Sequence, residues 1–257
     1  MKKIVEQQWD YTKHAEFYCY RPNYSPQAIS LLVKYVNYIR GGGFLKVADI
    51  GAGTGNLSVM LLERGCEVVS VEPNDAMREI GIKRTENQKI NWIKATGINT
   101  ELESESFDWV TFGSSFNVMD RSLALVETHR ILKDNGVFSC MWNHRDLNDP
   151  IQEMAEEVIE SLVPDYSRGV RREDQRSVIE SHRHLFDEIF YFEQDFYFHQ
   201  SIENYLLAWK SVKNPYWDLE TQEGRELFEK ISYQMKHKLP REFSIKYTTR
   251  IWSAKKI

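Results

Sequence analysis

The sequence predicts an α/β fold: a mostly parallel sheet with an antiparallel edge strand, helices on both faces and a helical insertion. Three observations point to it. Short apolar runs alternate with segments of helical spacing between residues 46 and 142. A glycine-rich turn joins the first of these runs to the helix behind it. The last third holds polar amphipathic helices and strands in which apolar and polar residues alternate. Strands separated by helices imply βαβ crossovers and parallel pairing, whereas a strict two-residue alternation near the end reads as a strand close to a sheet edge.

The opening stretch is polar and aromatic, then helical from Pro26 to Arg40, where Gly41-Gly42-Gly43 accepts the left-handed cap that stops a helix. Lys46–Ile50 is a short apolar strand, and Asn56–Arg64 carries Leu57, Met60 and Leu61 at helical spacing before Gly65. Cys66–Glu72 is a strand, Asp75–Thr85 a helix, and Ile90–Lys94 and Phe107–Phe112 are strands. Arg121–Leu132 puts Leu125, His129 and Leu132 on one helix face, and Asn135-Gly136 turns the chain into the strand Val137–Trp142. Past Asp149-Pro150 come two helices, Ile151–Leu162 and Gln175–Leu185, and an alternating strand, Ile189–His199. Ser201 caps a helix to Lys210, Gly224–Leu239 is another, and Ser244–Ala254 closes the chain as a strand. One domain spanning residues 1–257 is expected. Residues 1–45 form an N-terminal lid and helix, 46–148 the βαβ core, 149–187 a helical cover and 188–257 the rest of the sheet and helices.

Composition narrows the function classes. The formal charge is −5, so the chain as a whole has no pull toward nucleic acid or an anionic membrane. Aromatic residues make up 13%, a surplus that suits an apolar ligand pocket as well as a core. The three cysteines, Cys19, Cys66 and Cys140, are odd in number and far apart, which argues against a zinc site or a disulfide framework. Met1–Glu6 turns polar at once, and no apolar run approaches the roughly 20 residues that span a bilayer. A cytoplasmic protein without a membrane segment is the expectation, as monomer or homodimer.

The most informative segment is Val47-Ala48-Asp49-Ile50-Gly51-Ala52-Gly53-Thr54-Gly55-Asn56. Its glycines let the backbone turn sharply and let a ligand lie against bare main chain. A dinucleotide-binding turn starting at Gly51 needs its third glycine at 56, where this chain has Asn56, and it has little use for Asp49 in the strand. A ligand with an amino group does have a use for that carboxylate. Glu72, at the end of the next strand, offers two oxygens to a diol.

These residues resemble the first motifs of the class I, Rossmann-like S-adenosylmethionine-dependent methyltransferases, and the resemblance covers most of the chain. Small-molecule enzymes of the ubiquinone-biosynthesis and trans-aconitate types show a similar Tyr…Arg-Pro-x-Tyr segment, here within Ala15–Tyr24. The resemblance implies S-adenosylmethionine as cofactor, with S-adenosylhomocysteine as product and no metal. It implies that Gly51, Gly53 and Gly55 wrap the methionine part, that Asp49 faces its amino group, and that Glu72 holds the ribose hydroxyls. Pro73 and Met77 match positions beside the adenine, as do Thr96, Gly97 and Ile98, although many relatives carry an acid where this chain has Thr96 and Ile98. Gly113 and Ser114 match the loop beside the transferable methyl group, and Tyr18 and Arg21 match a lid reaching the methionine carboxylate.

On the acceptor side, Trp142-Asn143-His144-Arg145-Asp146 lies just past a strand end, where open α/β sheets bind ligands. His144 is the candidate base. Asn143, Arg145, Tyr20 and Phe116 are candidate substrate contacts, and so are Arg168, Arg171 and Arg172, three arginines in five residues suited to a carboxylate or phosphate. Methyl transfer from a sulfonium needs mainly alignment, and no metal-ligand spacing is present. The reading is N- or O-methylation of a small molecule, with a phosphorylated amine, a carboxylate or a nucleotide sugar as fitting acceptors. Three rivals differ from it. A nicotinamide oxidoreductase conflicts with Asn56 and Asp49. An RNA or DNA methyltransferase lacks support, because Gly113-Ser114-Ser115-Phe116 stands where base methylases carry an Asn/Asp-Pro-Pro-Tyr motif. A methyltransferase fold that only binds a partner has no reason to keep the glycines and Glu72 intact.

Overall fold

Val47, Ala48 and Ile50 in the first strand, and Val110 and Phe112 in the fourth, are wholly buried, as strands covered on both faces must be. The structure, a computed structural model, describes residues 11–167, 173–212 and 215–257. A 3₁₀ helix at Thr12–Tyr20 leads into α1 (Pro26–Ile39), β1 (Lys46–Ile50), α2 (Asn56–Leu62), β2 (Glu67–Val71), α3 (Asp75–Arg84) and β3 (Ile90–Ile93). Then come β4 (Phe107–Gly113), α4 (Arg121–Ile131), β5 (Leu132–Arg145), α5 (Pro150–Leu162) and α6 (Arg176–Glu180). β6 (Phe186–Ser201), α7 (Ile202–Lys210), α8 (Gln222–Lys238) and β7 (Glu242–Lys256) complete the chain.

The strands form one sheet in the order β3-β2-β1-β4-β5-β7-β6. β3, β2, β1, β4 and β5 are parallel, and β7 runs antiparallel to both β5 and β6. Between β1 and β4 the direction of strand addition reverses. In doubly wound sheets the crevice at the carboxyl ends of such a pair of strands is where ligands are held. This is the Rossmann-like arrangement that the sequence predicts.

Packing divides into three clusters. On one face Phe112, Phe116, Phe138 and Trp252 meet Leu125 of α4 and Ile179 of α6. On the other, Ile29 and Leu32 of α1 and Leu61 of α2 meet Trp109, Met141 and Ile251. The third joins Ile159 of α5, Tyr205 and Trp209 of α7 and Ile231 of α8 over Ile245 and Tyr247 of β7. Expected as separate parts, α5 on one side and α7 and α8 on the other share this core.

Side-chain caps set several helix starts. Ser25, Asn74, Asp120, Asp149, Ser201 and Thr221 each accept from a backbone N–H in the first turn of the helix they precede. Two boundaries differ from the sequence reading. The helix expected over 175–185 covers only Arg176–Glu180, because the chain must turn at 181–185 to bring Phe186, fully buried, into the sheet. The strand expected from Val137 begins at Leu132, which pairs with Phe107 before a register shift, and Asn135 takes a φ of 59° in the intervening turn.

The opposite end of the sheet is tied by one carboxylate. Buried Asp108 at the start of β4 accepts from the backbone N–H of Lys46 at 2.9 Å, from Arg40 Nε at 3.0 Å and from Lys133 Nζ at 3.0 Å. It thereby joins α1, β1, β4 and β5. Burial alone would raise its pKa, but the Lys46 N–H, Lys133 and Arg40 outweigh that and hold it below the ordinary carboxylate value. Asp108→Ala is expected to cost about 2–3 kcal/mol of stability by denaturant titration. Because the folded pKa is depressed, the wild-type advantage should be present above the ordinary carboxylate pKa and fade as pH falls through the lower folded value. Equal midpoints for both proteins near neutral pH would refute this.

Candidate active site

The loop after β1 is built almost entirely from main chain. Gly51, Gly53 and Gly55 have φ values of 65°, 58° and 81°. Gly51 N donates to Val71 O at 2.8 Å and Ala52 N to the same oxygen at 3.1 Å, which pins the loop to the end of β2. A Cβ at Gly51 would stand 2.5 Å from Ser115 Cβ. That closeness is used, since Ser115 Oγ donates to Ile50 O at 2.6 Å and locks the loop after β4 onto the loop after β1. From α3, Arg84 Nη1 donates to Thr54 O at 2.7 Å and to Asn56 Oδ1 at 2.6 Å.

Two buried carboxylates flank this loop. Asp49 accepts from Ser58 Oγ at 2.6 Å and Thr111 Oγ1 at 3.1 Å, and Ser58 Oγ in turn lies 2.8 Å from Ser70 Oγ. Burial pushes the Asp49 carboxyl up to about 6 against the pull of those hydroxyls, and the charge of Glu72 adds to the rise. Glu72 accepts from Gly53 N and from Asn74 N, each at 2.8 Å, so its carboxylate bridges the glycine loop and the start of α3. Burial raises its pKa as well, opposed by the two N–H donors and Arg78. A carboxylate has about four acceptor positions, so Glu72 keeps capacity for a neighbouring diol.

Around the crevice, Met77 is buried, with its methyl 3.2 Å from where a Gly53 Cβ would sit, and Pro73 is exposed. Thr96 is exposed and bridges to Asn99, Ile98 is half-buried, and Gly97 lies against Met119. Next to Gly113, Ser114 takes a φ of 59°, and its Oγ is 3.0 Å from the hydroxyl of buried Tyr24. Burial raises the Tyr24 phenol pKa, so it stays neutral.

The N-terminal segment roofs this end of the sheet. Asn74 Nδ2 donates to Thr12 Oγ1 at 3.1 Å on the α3 side, and the His14 ring meets Lys210 O at 2.9 Å on the α7 side. Arg21, expected to reach toward a ligand carboxylate, instead donates from Nε and Nη2 to Ser211 Oγ and O, both at 2.7 Å, with its guanidinium 4.0 Å from the Tyr18 ring. Tyr20 ends the 3₁₀ helix and is half-buried.

Two expected acceptor contacts are engaged within the protein. Phe116 is wholly buried between Phe112 and Phe138, with ring centroids 5.2 and 5.3 Å away, and is a core residue. Asn143 braces the chain itself: its Nδ2 donates to Pro22 O and Asn23 O, and its Oδ1 accepts from Thr249 Oγ1 at 2.6 Å. The pairing of β5 with β4 ends at Gly113 and Met141, so Trp142–Arg145 overhang the sheet and pair with β7. Along that overhang Asn143 and Arg145 share one face, and His144 and Trp142 take the other. Arg168, Arg171 and Arg172 lie outside the described residues. The hydroxyls of Ser58, Ser70, Thr111 and Ser115 escaped the sequence reading, because a small polar residue inside an apolar strand or helix carries no periodic signal.

Residues 48–140 match the family described as a methyltransferase domain. The matched segment runs from within β1 to within β5, the part of the chain that carries the glycine loop, Asp49 and Glu72. A methyltransferase of Mycobacterium tuberculosis, itself uncharacterised, is 32% identical over 126 residues, covering 49% of this chain and 48% of that protein. A demethylmenaquinone methyltransferase of Staphylococcus epidermidis is 31% identical over 102 residues, covering 37% of this chain and 42% of that protein. The chain thus spans about half the length, or less, of these curated relatives. Among solved structures, a protein of Anaeromyxobacter dehalogenans provisionally described as a type II methyltransferase superposes with a TM-score of 0.56 at 16% identity. That likeness covers 91% of this chain and 97% of the other and concerns the fold. Among the described residues, no helix is long and apolar enough to cross a membrane.

Asp49 generates a pH prediction. Its folded pKa of about 6 lies above the ordinary 3.8, so the folded state binds the extra proton between those values. Stability is therefore lost as pH rises through that window, by roughly 3 kcal/mol when the shift is converted at 1.36 kcal/mol per pH unit. Asp49→Asn should gain on wild type as pH is raised from about 4 to about 7. Parallel stability curves in urea titrations across that range would exclude the buried charge as their cause.

Proposed function

We propose that this protein transfers the methyl group of S-adenosylmethionine to a small-molecule acceptor, by N- or O-methylation. The observation that carries the reading is the pair of buried carboxylates, Asp49 and Glu72, at the ends of adjacent strands on either side of a main-chain loop. The donor set suits the cofactor: a buried acid for a diol, a second acid for a cationic amino group, and exposed backbone between them.

When bound, S-adenosylmethionine supplies a methyl group already activated by its sulfonium. Glu72 accepts the ribose hydroxyls while keeping its hold on Gly53 and Asn74. Asp49 sets a negative charge toward the amino group. Met77, Pro73, Thr96, Gly97 and Ile98 form the adenine side, and Gly113 and Ser114 border the methyl group. The segment 11–24 covers the crevice and keeps water out, and Tyr18 and Arg21 bring it toward the methionine carboxylate once Arg21 leaves Ser211. An amine acceptor asks the protein mainly for alignment. A hydroxyl acceptor also needs its proton taken, the role assigned to His144. The small-molecule class is supported by the net charge of −5 and by the similarity to a relative named for demethylmenaquinone.

Calorimetry should find one site per chain for S-adenosylmethionine or S-adenosylhomocysteine. Glu72→Ala should weaken that binding by about 1.5–3 kcal/mol with the fold retained, since the lost group accepts charge-assisted bonds from the diol. An unchanged Kd in a folded variant removes Glu72 from the site. Binding of a nicotinamide cofactor in place of either ligand overturns the reading as a whole.

A further inference from the structure

We propose that Arg145 is the anion-recognising residue of the acceptor pocket, taking a carboxylate or phosphate group of the acceptor beside the rings of Tyr205, Trp209 and Tyr247. The proposal rests on the small-molecule reading and deepens it.

Arg145 carries a permanent positive charge among neutral groups. Its Nε donates to the Tyr247 hydroxyl at 3.2 Å, and its guanidinium lies 4.6 Å from the Trp209 ring centroid and 5.6 Å from that of Tyr205. Among the described residues no acid pairs with it. The nearby acids are engaged elsewhere. Lys246 holds Asp146 at 3.3 Å and Asp195 at 2.9 Å, and Asp149 caps α5 and accepts from Lys246 N. Aromatic faces return part of what a guanidinium loses on leaving water, but an oxyanion returns far more. A charge kept in such a place without a structural counter-ion suits a ligand that brings one.

The geometry favours two oxygens. With Nε fixed on Tyr247, the terminal nitrogens of the fork make no hydrogen bond to a described residue, and a carboxylate or phosphate engages them as a pair. The position favours the acceptor. Arg145 lies on the overhang of β5, on the same face as Asn143, which holds the carbonyls of Pro22 and Asn23. One residue further, Tyr24 meets Ser114 at the mouth of the cofactor crevice. Trp209, over Arg145, belongs to the same helix end whose Ser211 anchors Arg21 of the roof. Arg145 therefore stands behind the roof, beyond the cofactor loop, with flat aromatic walls that suit an unsaturated body.

The test uses the full chain saturated with S-adenosylhomocysteine, with benzoate, phenyl phosphate and the neutral benzamide as probes in ligand-observed NMR titrations. Benzoate or phenyl phosphate should bind at least about ten-fold more tightly than benzamide, and the stronger of the two tells carboxylate from phosphate. Arg145→Gln should erase the preference, and Arg145→Lys, which keeps charge but not the fork, should retain part of it. S-adenosylhomocysteine affinity should stay within roughly two-fold in both. Should Arg145→Gln fail to fold, a full preference in Arg145→Lys overturns the proposal. So does a wild type that treats benzoate, phenyl phosphate and benzamide alike, or a preference that survives in folded Arg145→Gln. In those cases the methyl-transfer reading stands. Failure of wild type to bind S-adenosylhomocysteine is a separate result that removes both.

Discussion

The buried carboxylate of Asp49 is the constraint around which the switch point of the sheet is organised. It belongs to β1, and the hydroxyls that satisfy it come from α2 and β4, with Ser70 of β2 linked through Ser58. A buried charge has to be hydrogen-bonded, and meeting that demand fixes three strands and one helix relative to one another at the point where strand order reverses. The same residue precedes the loop that must stay bare of side chains. Ser115 presses on Gly51 there, so the carboxyl ends of β1 and β4 form one rigid lip. An acid held near 6 in such a place keeps an unmet preference for a cation.

Glu72 extends that arrangement to the next strand. It is tied by two backbone N–H groups from opposite sides, so its orientation is set before any ligand arrives. Preorganisation of this kind lowers the ordering cost of binding. The roof is built differently. Its contacts to α3 and α7 include polar bonds through Thr12, His14 and Arg21, while Ala15 and Tyr24 of the same segment are buried.

The helical cover over the overhanging strands has its own core, in which α5, α7 and α8 share Ile159, Tyr205, Trp209 and Ile231. It separates chemistry by place. The proposed cofactor site lies at the sheet's switch point, and the proposed acceptor site on the overhang of β5 and β7. Arg145 sits on the second of these, joined to the first through Asn143 and the segment 22–24.

What the sequence determined by itself was local. The alternation of strands and helices, the glycine turn after Asp49, the acid closing the second strand and the cap at Ser201 all involve residues within a few positions of one another. Their signals survive without knowledge of the rest of the chain. Tertiary structure alone decided the fate of side chains whose partners lie far off. Arg21 meets Ser211 across 190 positions, and Asn143 meets Pro22 across 121. Phe116, a candidate substrate contact in the sequence, lies in the core, because a residue's neighbours in the chain do not tell what covers it in the fold. The standing of Arg145 depends in the same way on acids elsewhere. Only the folded chain commits Asp146 and Asp195 to Lys246 and leaves a guanidinium among rings.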